Sequence, residues 1–298
     1  MILKRPTKKE KSVTAETTAW LRAVGAREPD AVLRNPDHLA HELLGPRMRA
    51  LGRVPGGWRI ARRGLEAFAP GYYEYELART KHIDAVLRDE LAAGIDQLVL
   101  VGSGFDSRVY RFAEELAGVR AFEVDREVML EQKRRRAVKR GFDGGATQVP
   151  LDLNLHTPLE ALRRHGYDGG ARTLFICSGV LMYLDPTAVE RLLAFVAASG
   201  EGSSIVFDFL YAAAIADPES HYGAQRMLRN VERAREPYQF CIDPPELEGL
   251  LERQGLELVS HAGPAELNRA YVRRADGSQR GRICEYGGIA HARRRPAR

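Results

Sequence analysis

Short apolar runs alternate with helical segments between positions 97 and 261, and this alternation restricts the fold more than any other feature of the chain. Gln97–Val101 (QLVLV), Arg120–Val124 (RAFEV), Thr147–Val149, Leu174–Cys177, Ser204–Phe209 (SIVFDF) and Leu256–His261 read as strands. The stretches that separate them have helical composition: from the first strand through Ala117, Glu127 to Arg140, Pro186 to Ser199, and Leu247 to Gln254. Strands that are apolar throughout, rather than at every second residue, belong to a parallel sheet covered by helices on both faces. With 282–290 as a last, edge strand, the expected fold is α/β, a doubly wound and mostly parallel seven-stranded sheet.

Ahead of the sheet lies a helical extension, expected over 13–94 and packed on a core domain of 95–292. Thr14 to Val24 offers Ala19, Trp20, Ala23 and Val24 as an apolar stripe, and Asp37 opens a second helix that runs to Leu44. Loops and short helices fill 45–73, a stretch that ends in Phe68, Tyr72 and Tyr73. From Tyr75 to Ala93 a longer helix puts Leu77, Ile83, Val86, Leu87 and Leu91 on one face before Gly94 stops it. A connection of about 35 residues follows the fifth strand, and loops that long carry function or their own structure. It reads as a helical cap inserted at about 211–245.

Charge and cysteine content narrow the function classes. The net charge is +5, but Lys4, Arg5, Lys8, Lys9 and Lys11 against Glu10 place +4 in the first 12 residues. Arg293, Arg294, Arg295 and Arg298 place another +4 in the last six, so the body is left at −3. Both ends read as solvated basic tails, because no aromatic residues interleave the charges as they do in nucleic-acid binders. Nucleic acid is therefore not expected as a partner. No apolar run approaches the ~20 residues of a membrane span, and the start lacks the apolar stretch of a secretory signal, so a cytoplasmic protein with no membrane association is expected. Cys177, Cys241 and Cys284 are too widely spaced for a metal site or a disulfide framework and are read as thiols, with no metal expected.

Three motifs carry chemistry. The first strand runs directly into Gly102-Ser103-Gly104, a turn whose glycines let backbone approach a ligand and whose following helix attracts negative charge. A dinucleotide fingerprint would need a third small residue after it, whereas Asp106-Ser107-Arg108 follows. An acid there suits a pyrophosphate poorly and suits S-adenosylmethionine better, since that cofactor carries a sulfonium and an ammonium. Asp125, at the tip of the second strand, is placed to accept bonds from two ribose hydroxyls, and Glu123 alternates with it along the strand. Asp152, just past the third strand, is placed to meet an adenine amino group, with Leu153 offering backbone and an apolar edge.

Taken together, these residues resemble the leucine carboxyl methyltransferase family in its broad sense. The resemblance rests on ARTKHID at 78–84, VLVGSGFDSRVYRF at 99–112, FEVDREVMLEQKRRR at 122–136, VPLDL at 149–153 and SGVLMYLDPTAVERLL at 178–193, five motifs in order. It implies a class I methyltransferase fold that binds S-adenosylmethionine. Arg79 would hold the carboxylate of the methionyl part, Gly102 with Ser103 and Gly104 would line the turn, Asp125 would take the ribose, and Asp152 with Leu153 the adenine. One position departs from the family: where a Glu commonly precedes the G-V-L-M-Y-L segment, this chain has Ser178. A hydroxyl replaces a hydrogen bond but not a charge, so either cofactor affinity is lower or Asp106 compensates.

The acceptor is expected to be an oxygen of a small molecule, carboxylate or hydroxyl, in secondary metabolism. A carboxylate is ionised at neutral pH and needs no base, whereas a phenol does. Candidate residues on the acceptor side are Tyr183 past the fourth strand, His221 and Tyr222 in the cap as catalytic groups, Arg226 to pair with a carboxylate, and Tyr72 with Tyr73 to close the pocket. Alternatives are methylation of a protein C-terminal carboxylate, a nicotinamide-dependent oxidoreductase, and a non-catalytic cofactor-binding protein. A homodimer is common in this fold, although nothing in the sequence specifies one.

Overall fold

The computed structural model describes residues 13–51, 57–142, 144–234, 237–274 and 276–296. The strands are β1 (Gln97–Val101), β2 (Arg120–Asp125), β3 (Thr147–Pro150), β4 (Thr173–Cys177), β5 (Ser204–Leu210), β6 (Leu256–Ala262) and β7 (Gly287–Arg294). They form one sheet in the order β3-β2-β1-β4-β5-β7-β6. The strands β1 to β5 pair in parallel, and β7 runs antiparallel to both β5 and β6. This is the doubly wound, mostly parallel sheet expected from the apolar runs.

Residues of β1 alternate between two cores because successive side chains of a strand point to opposite faces. Leu98 and Leu100 join Ile83, Val86 and Leu87 of the helix Tyr72–Ala92 on one face. Val99 and Val101 join Leu192, Leu193 and Val196 of the helix Pro186–Ala197 on the other. The helix Val13–Gly25 adds a third contact layer, where Ala19 and Ala23 pack with Phe105 from the turn after β1. Among the described residues no helix is long and apolar enough to cross a membrane.

Three expectations need correction. The last strand is not an edge: β7 lies between β5 and β6, and β6 is the border. Its glycine- and alanine-rich sequence, GGIAHARR, lacks the bulky run that marks a central strand, and its position explains the small residues. A Cβ at Gly287 would sit 2.5 Å from the Phe209 carbonyl oxygen of β5, so glycine is what lets β7 start against that strand. Second, the helix after β1 is a single turn, Arg108–Arg111, followed by separate turns instead of helix through Ala117. Its two arginines are drawn into buried carboxylates of other elements, described below.

Third, the C-terminal arginines do not form a solvated tail. Arg293 and Arg294 belong to β7; Arg293 bonds Glu90 at 2.7 Å, Arg294 bonds the Ser199 carbonyl at 2.5 Å, and Arg295 bonds Glu252 at 2.7 Å. Charge composition could not reveal these partners, because they lie 43 to 203 residues away in the chain. The basic arm at 1–12 and Arg298 lie outside the described residues.

Glu90 ties this end of the sheet together, accepting from Arg172 ahead of β4 at 2.9 Å and from Arg293 of β7 at 2.7 Å. Burial alone would raise its carboxyl, but contacts with His291, Arg293 and Arg172 outweigh burial and hold it down at about 2, against an ordinary 4.5. A carboxyl depressed in the folded state contributes stability above its unfolded pKa and loses it as the pH falls through the folded one. Glu90→Gln is therefore expected to lower stability at pH 7 by at most about 3 kcal/mol, less for the half-open arginines. Urea melts should show the gap from wild type closing between pH 5 and about 2; a gap independent of pH would exclude this linkage.

Candidate functional site

The tips of β1, β2 and β4 bring together residues that are far apart in the chain. At the β1 tip Gly102 has φ 64°, and a Cβ there would fall within the Val180 isopropyl group, so the residue must be glycine on both counts. Asp125, at the β2 tip, accepts from the Gly104 N–H at 2.7 Å and from the Arg126 N–H at 2.7 Å, which fixes the turn against the strand. Burial raises the Asp125 carboxyl, and these backbone bonds oppose the rise. Each of its oxygens keeps a second lone pair for a ligand hydroxyl. Asp152 caps its own turn through the Asn154 N–H at 3.0 Å, and Leu153 packs half-buried against the core beside it. Ser103 is buried, and its Oγ has no hydrogen-bond partner.

Arg79 lies at the tip of β4, 3% exposed. Its guanidinium meets the Asp208 carboxylate at 2.5 Å and also Glu76 one turn back on its own helix. The same Asp208 accepts the Gly179 N–H at 2.5 Å. Arg79 Nε is buried without a partner. Ser178 precedes Gly179 at this tip and contributes no charge. Asp106 does not supply it either: its carboxylate is bound by the backbone and guanidinium of Arg108. Burial would raise that carboxyl, and the charges of Arg108, Lys133 and Arg22 hold it well below the usual range.

Asp208 and Asp106 terminate one continuous chain of charges. It runs Asp208, Arg79, Glu76, Arg22, Asp37, Arg111, Asp84, Arg108, Asp106, alternating throughout, with four arginines against five carboxylates. It passes behind the β1 turn, where Arg22 also bonds the Phe105 carbonyl at 2.9 Å. Buried charges survive only when paired and hydrogen-bonded, so the helices Val13–Gly25 and Tyr72–Ala92 are locked to the turn through it. Glu123, read as a second ribose ligand, is instead paired with the fully buried Lys133 and is turned away from that role.

The acceptor-side candidates are distributed differently. Tyr183 packs against Tyr238 with ring centroids 5.5 Å apart, and Gln239 bonds its carbonyl at 2.7 Å, joining the β4 tip to the cap. Tyr73 faces the N-terminal helix, clustered with Leu21 and Val24 and covered by Arg62. Tyr72, the other of the two, lies on the side expected of both: it stacks on Tyr75 and feels the charges of Arg79, Glu76 and Asp208. One residue on a helix is a rotation of about 100°, so the two rings cannot face the same pocket. His221 bonds the Asp217 carbonyl at 2.9 Å, Tyr222 bonds Glu66 at 2.5 Å under the Arg282 guanidinium, and Arg226 is exposed. These three line a depression of about 410 Å³ with Pro70 and Pro218, and Tyr222 is tied through its backbone to Glu285, just ahead of β7.

Sequence reading missed Asp208, Glu76, Arg22, Asp37 and Asp84. The one legible signal was Asp208 itself, an acid inside the apolar run SIVFDF.

The strand order and the glycine turn facing an acid on the next strand define a class I methyltransferase fold. Two solved structures share it: a candidate methyltransferase from Thermobifida fusca (TM-score 0.58, 20% identity, 80% of this chain and 89% of that one) and a DUF574 family protein from Streptomyces avermitilis (TM-score 0.58, 17% identity, 80% and 91%). The leucine carboxyl methyltransferase pattern matches residues 15–197, more than half of the sequence, and the chain belongs to that family. A protein of Mycobacterium tuberculosis named as a candidate S-adenosyl-L-methionine-dependent methyltransferase is 33% identical over 189 residues. That match covers 60% of this chain and 59% of the relative's length.

Proposed function

We propose that this chain is an S-adenosylmethionine-dependent methyltransferase that converts a carboxylate of a small molecule to its methyl ester. The observation that carries the cofactor half is the pair of buried, unpartnered polar atoms Arg79 Nε and Ser103 Oγ, the second next to the left-handed Gly102. Buried polar groups are normally satisfied, so these two fit a ligand with a carboxylate and an amine. Arg79 would hold the methionyl carboxylate, Asp125 the ribose hydroxyls, and Asp152 with Leu153 the adenine. When bound, S-adenosylmethionine supplies a methyl carbon already activated by a sulfonium, so the protein's task is alignment and exclusion of water.

The choice of a carboxylate acceptor is supported by the character of the groups around the strand tips. Tyr72, Tyr238, Tyr286 and Cys284 interact with one another between the strand tips and the cap. Burial pushes Tyr72 up to about 12 and Cys284 up to about 12, and raises Tyr238 and Tyr286 as well. These groups stay protonated at neutral pH and serve as hydrogen-bond donors and packing surfaces rather than bases. A carboxylate acceptor arrives ionised and asks for no base.

The test is calorimetry with S-adenosylmethionine and S-adenosylhomocysteine, followed by turnover with panels of small carboxylic acids and phenols read by mass spectrometry. Methyl esters should form at a rate nearly flat from about pH 6 to 9, because the acceptor is ionised throughout. A rate climbing about tenfold per pH unit on a phenol would replace the carboxylate by a hydroxyl. Absence of binding to either cofactor form would remove the methyltransferase reading.

A further inference from the structure

We infer that Asp208 is a positioning residue for the amino-acid end of the cofactor, acting through Arg79 and the backbone of Gly179; the inference rests on the cofactor reading above. One oxygen of Asp208 takes the Gly179 N–H at 2.5 Å and the other takes Arg79 Nη1 at 2.5 Å, so a single carboxylate on β5 ties the guanidinium to the loop that leaves β4. It is only 1% exposed, and such a group is retained inside an apolar strand only when both oxygens are used. A Cβ at Gly179 would lie 3.1 Å from Arg79 Nη1, which puts the guanidinium flat against that loop. Glu76 grips the other terminal nitrogen, and Glu76 is in turn shared with Arg22.

Both terminal nitrogens of Arg79 are therefore held by the protein, while Nε is buried and unpartnered. Long side chains lose rotamer freedom when they bind, and a clamp that removes this freedom beforehand saves that entropy at the moment of binding. The five carboxylates outnumber the four arginines of the chain by one, and Asp208 is the end member at the β4 tip.

The test uses two ligands that share adenosine and a thioether and differ in the amino-acid chain: S-adenosylhomocysteine, which has it, and 5′-methylthioadenosine, which does not. In full-length Asp208→Asn, calorimetry should find affinity for S-adenosylhomocysteine reduced about tenfold or more, the size of one lost charge-assisted bond. Affinity for 5′-methylthioadenosine should stay within about twofold of wild type, since the adenosine contacts are untouched. Asp208→Glu keeps the charge and displaces it by a methylene; it should show a smaller but equally selective loss, and it carries the test if the Asn variant does not fold. Equal loss of both ligands would make Asp208 a structural residue only, and unchanged affinity for both would also overturn the inference. Wild type that binds neither ligand would instead overturn the cofactor reading and this inference with it.

Discussion

Arg79→Leu is expected to lose about 3–5 kcal/mol of folding stability, the cost of leaving one side of a buried ion pair without its partner. Asp208 and Glu76 are both buried against this guanidinium, and leucine offers neither a charge. Glu76 retains Arg22 at 3.4 Å, whereas Asp208 retains only the Gly179 N–H. The loss should therefore fall mainly on the β4–β5 tips, and cofactor affinity should disappear before the fold does. Arg79→Lys is expected to recover part of the stability, because an ammonium is a point charge without the fork that spans two carboxylates. Denaturant melts of the two variants, together with calorimetry at a temperature where both are folded, measure the two effects separately. A leucine variant within about 1 kcal/mol of wild type would mean that the carboxylates find other cations and that the clamp is not built as described.

Asp84→Asn should be comparably damaging for a different reason. Its carboxylate takes Arg108 Nε at 2.8 Å and both Arg111 terminal nitrogens at 2.7 and 3.0 Å, so one substitution leaves two buried guanidiniums short of charge. About 3–5 kcal/mol is again the expected loss. In the variant Asp106 still raises the Arg108 pKa against burial, and a guanidinium is too basic to lose its proton, so the arginine remains charged. Asp84 sits on the helix Tyr72–Ala92, behind the β1 turn rather than at a strand tip. The loss should therefore lower affinity for S-adenosylhomocysteine and 5′-methylthioadenosine together. A selective effect on the first alone would show that the charge chain transmits to Arg79, which its local pairing does not require. Urea melts and the two titrations decide it.

The contrast between these two carboxylates and Asp125 explains how far the sequence could be read. Asp125 was legible because its role is local: it follows an apolar strand and faces a glycine turn whose spacing is fixed by the βαβ unit. The same locality made β1 to β6 readable from their apolar runs, since burial on both faces of a sheet leaves a direct imprint on composition. The acids on the helix Tyr72–Ala92 leave no such imprint. Glu76 and Asp84 stand within the apolar face, two turns from Ile83 and from Leu77 and Leu91, but that spacing does not name the partners that let a charge be buried there. They are buried because a second layer, the helix Val13–Gly25 and the β1 turn, packs over them.

The sequence by itself determined the parallel sheet, the glycine turn, the acid at the β2 tip and the presence of Arg79 on a long helix, all features set by neighbours a few residues apart or by one repeating unit. Only the tertiary structure decided what Arg79 touches: its Asp208 partner lies 129 residues away, and the cap, the C-terminal arginines and β7 also acquire their partners across the sheet. The physical reason is the same in each case. Hydrophobic periodicity records which face of an element is buried, but the pairing of buried charges depends on which elements are brought against that face, and this is settled only when the layers close.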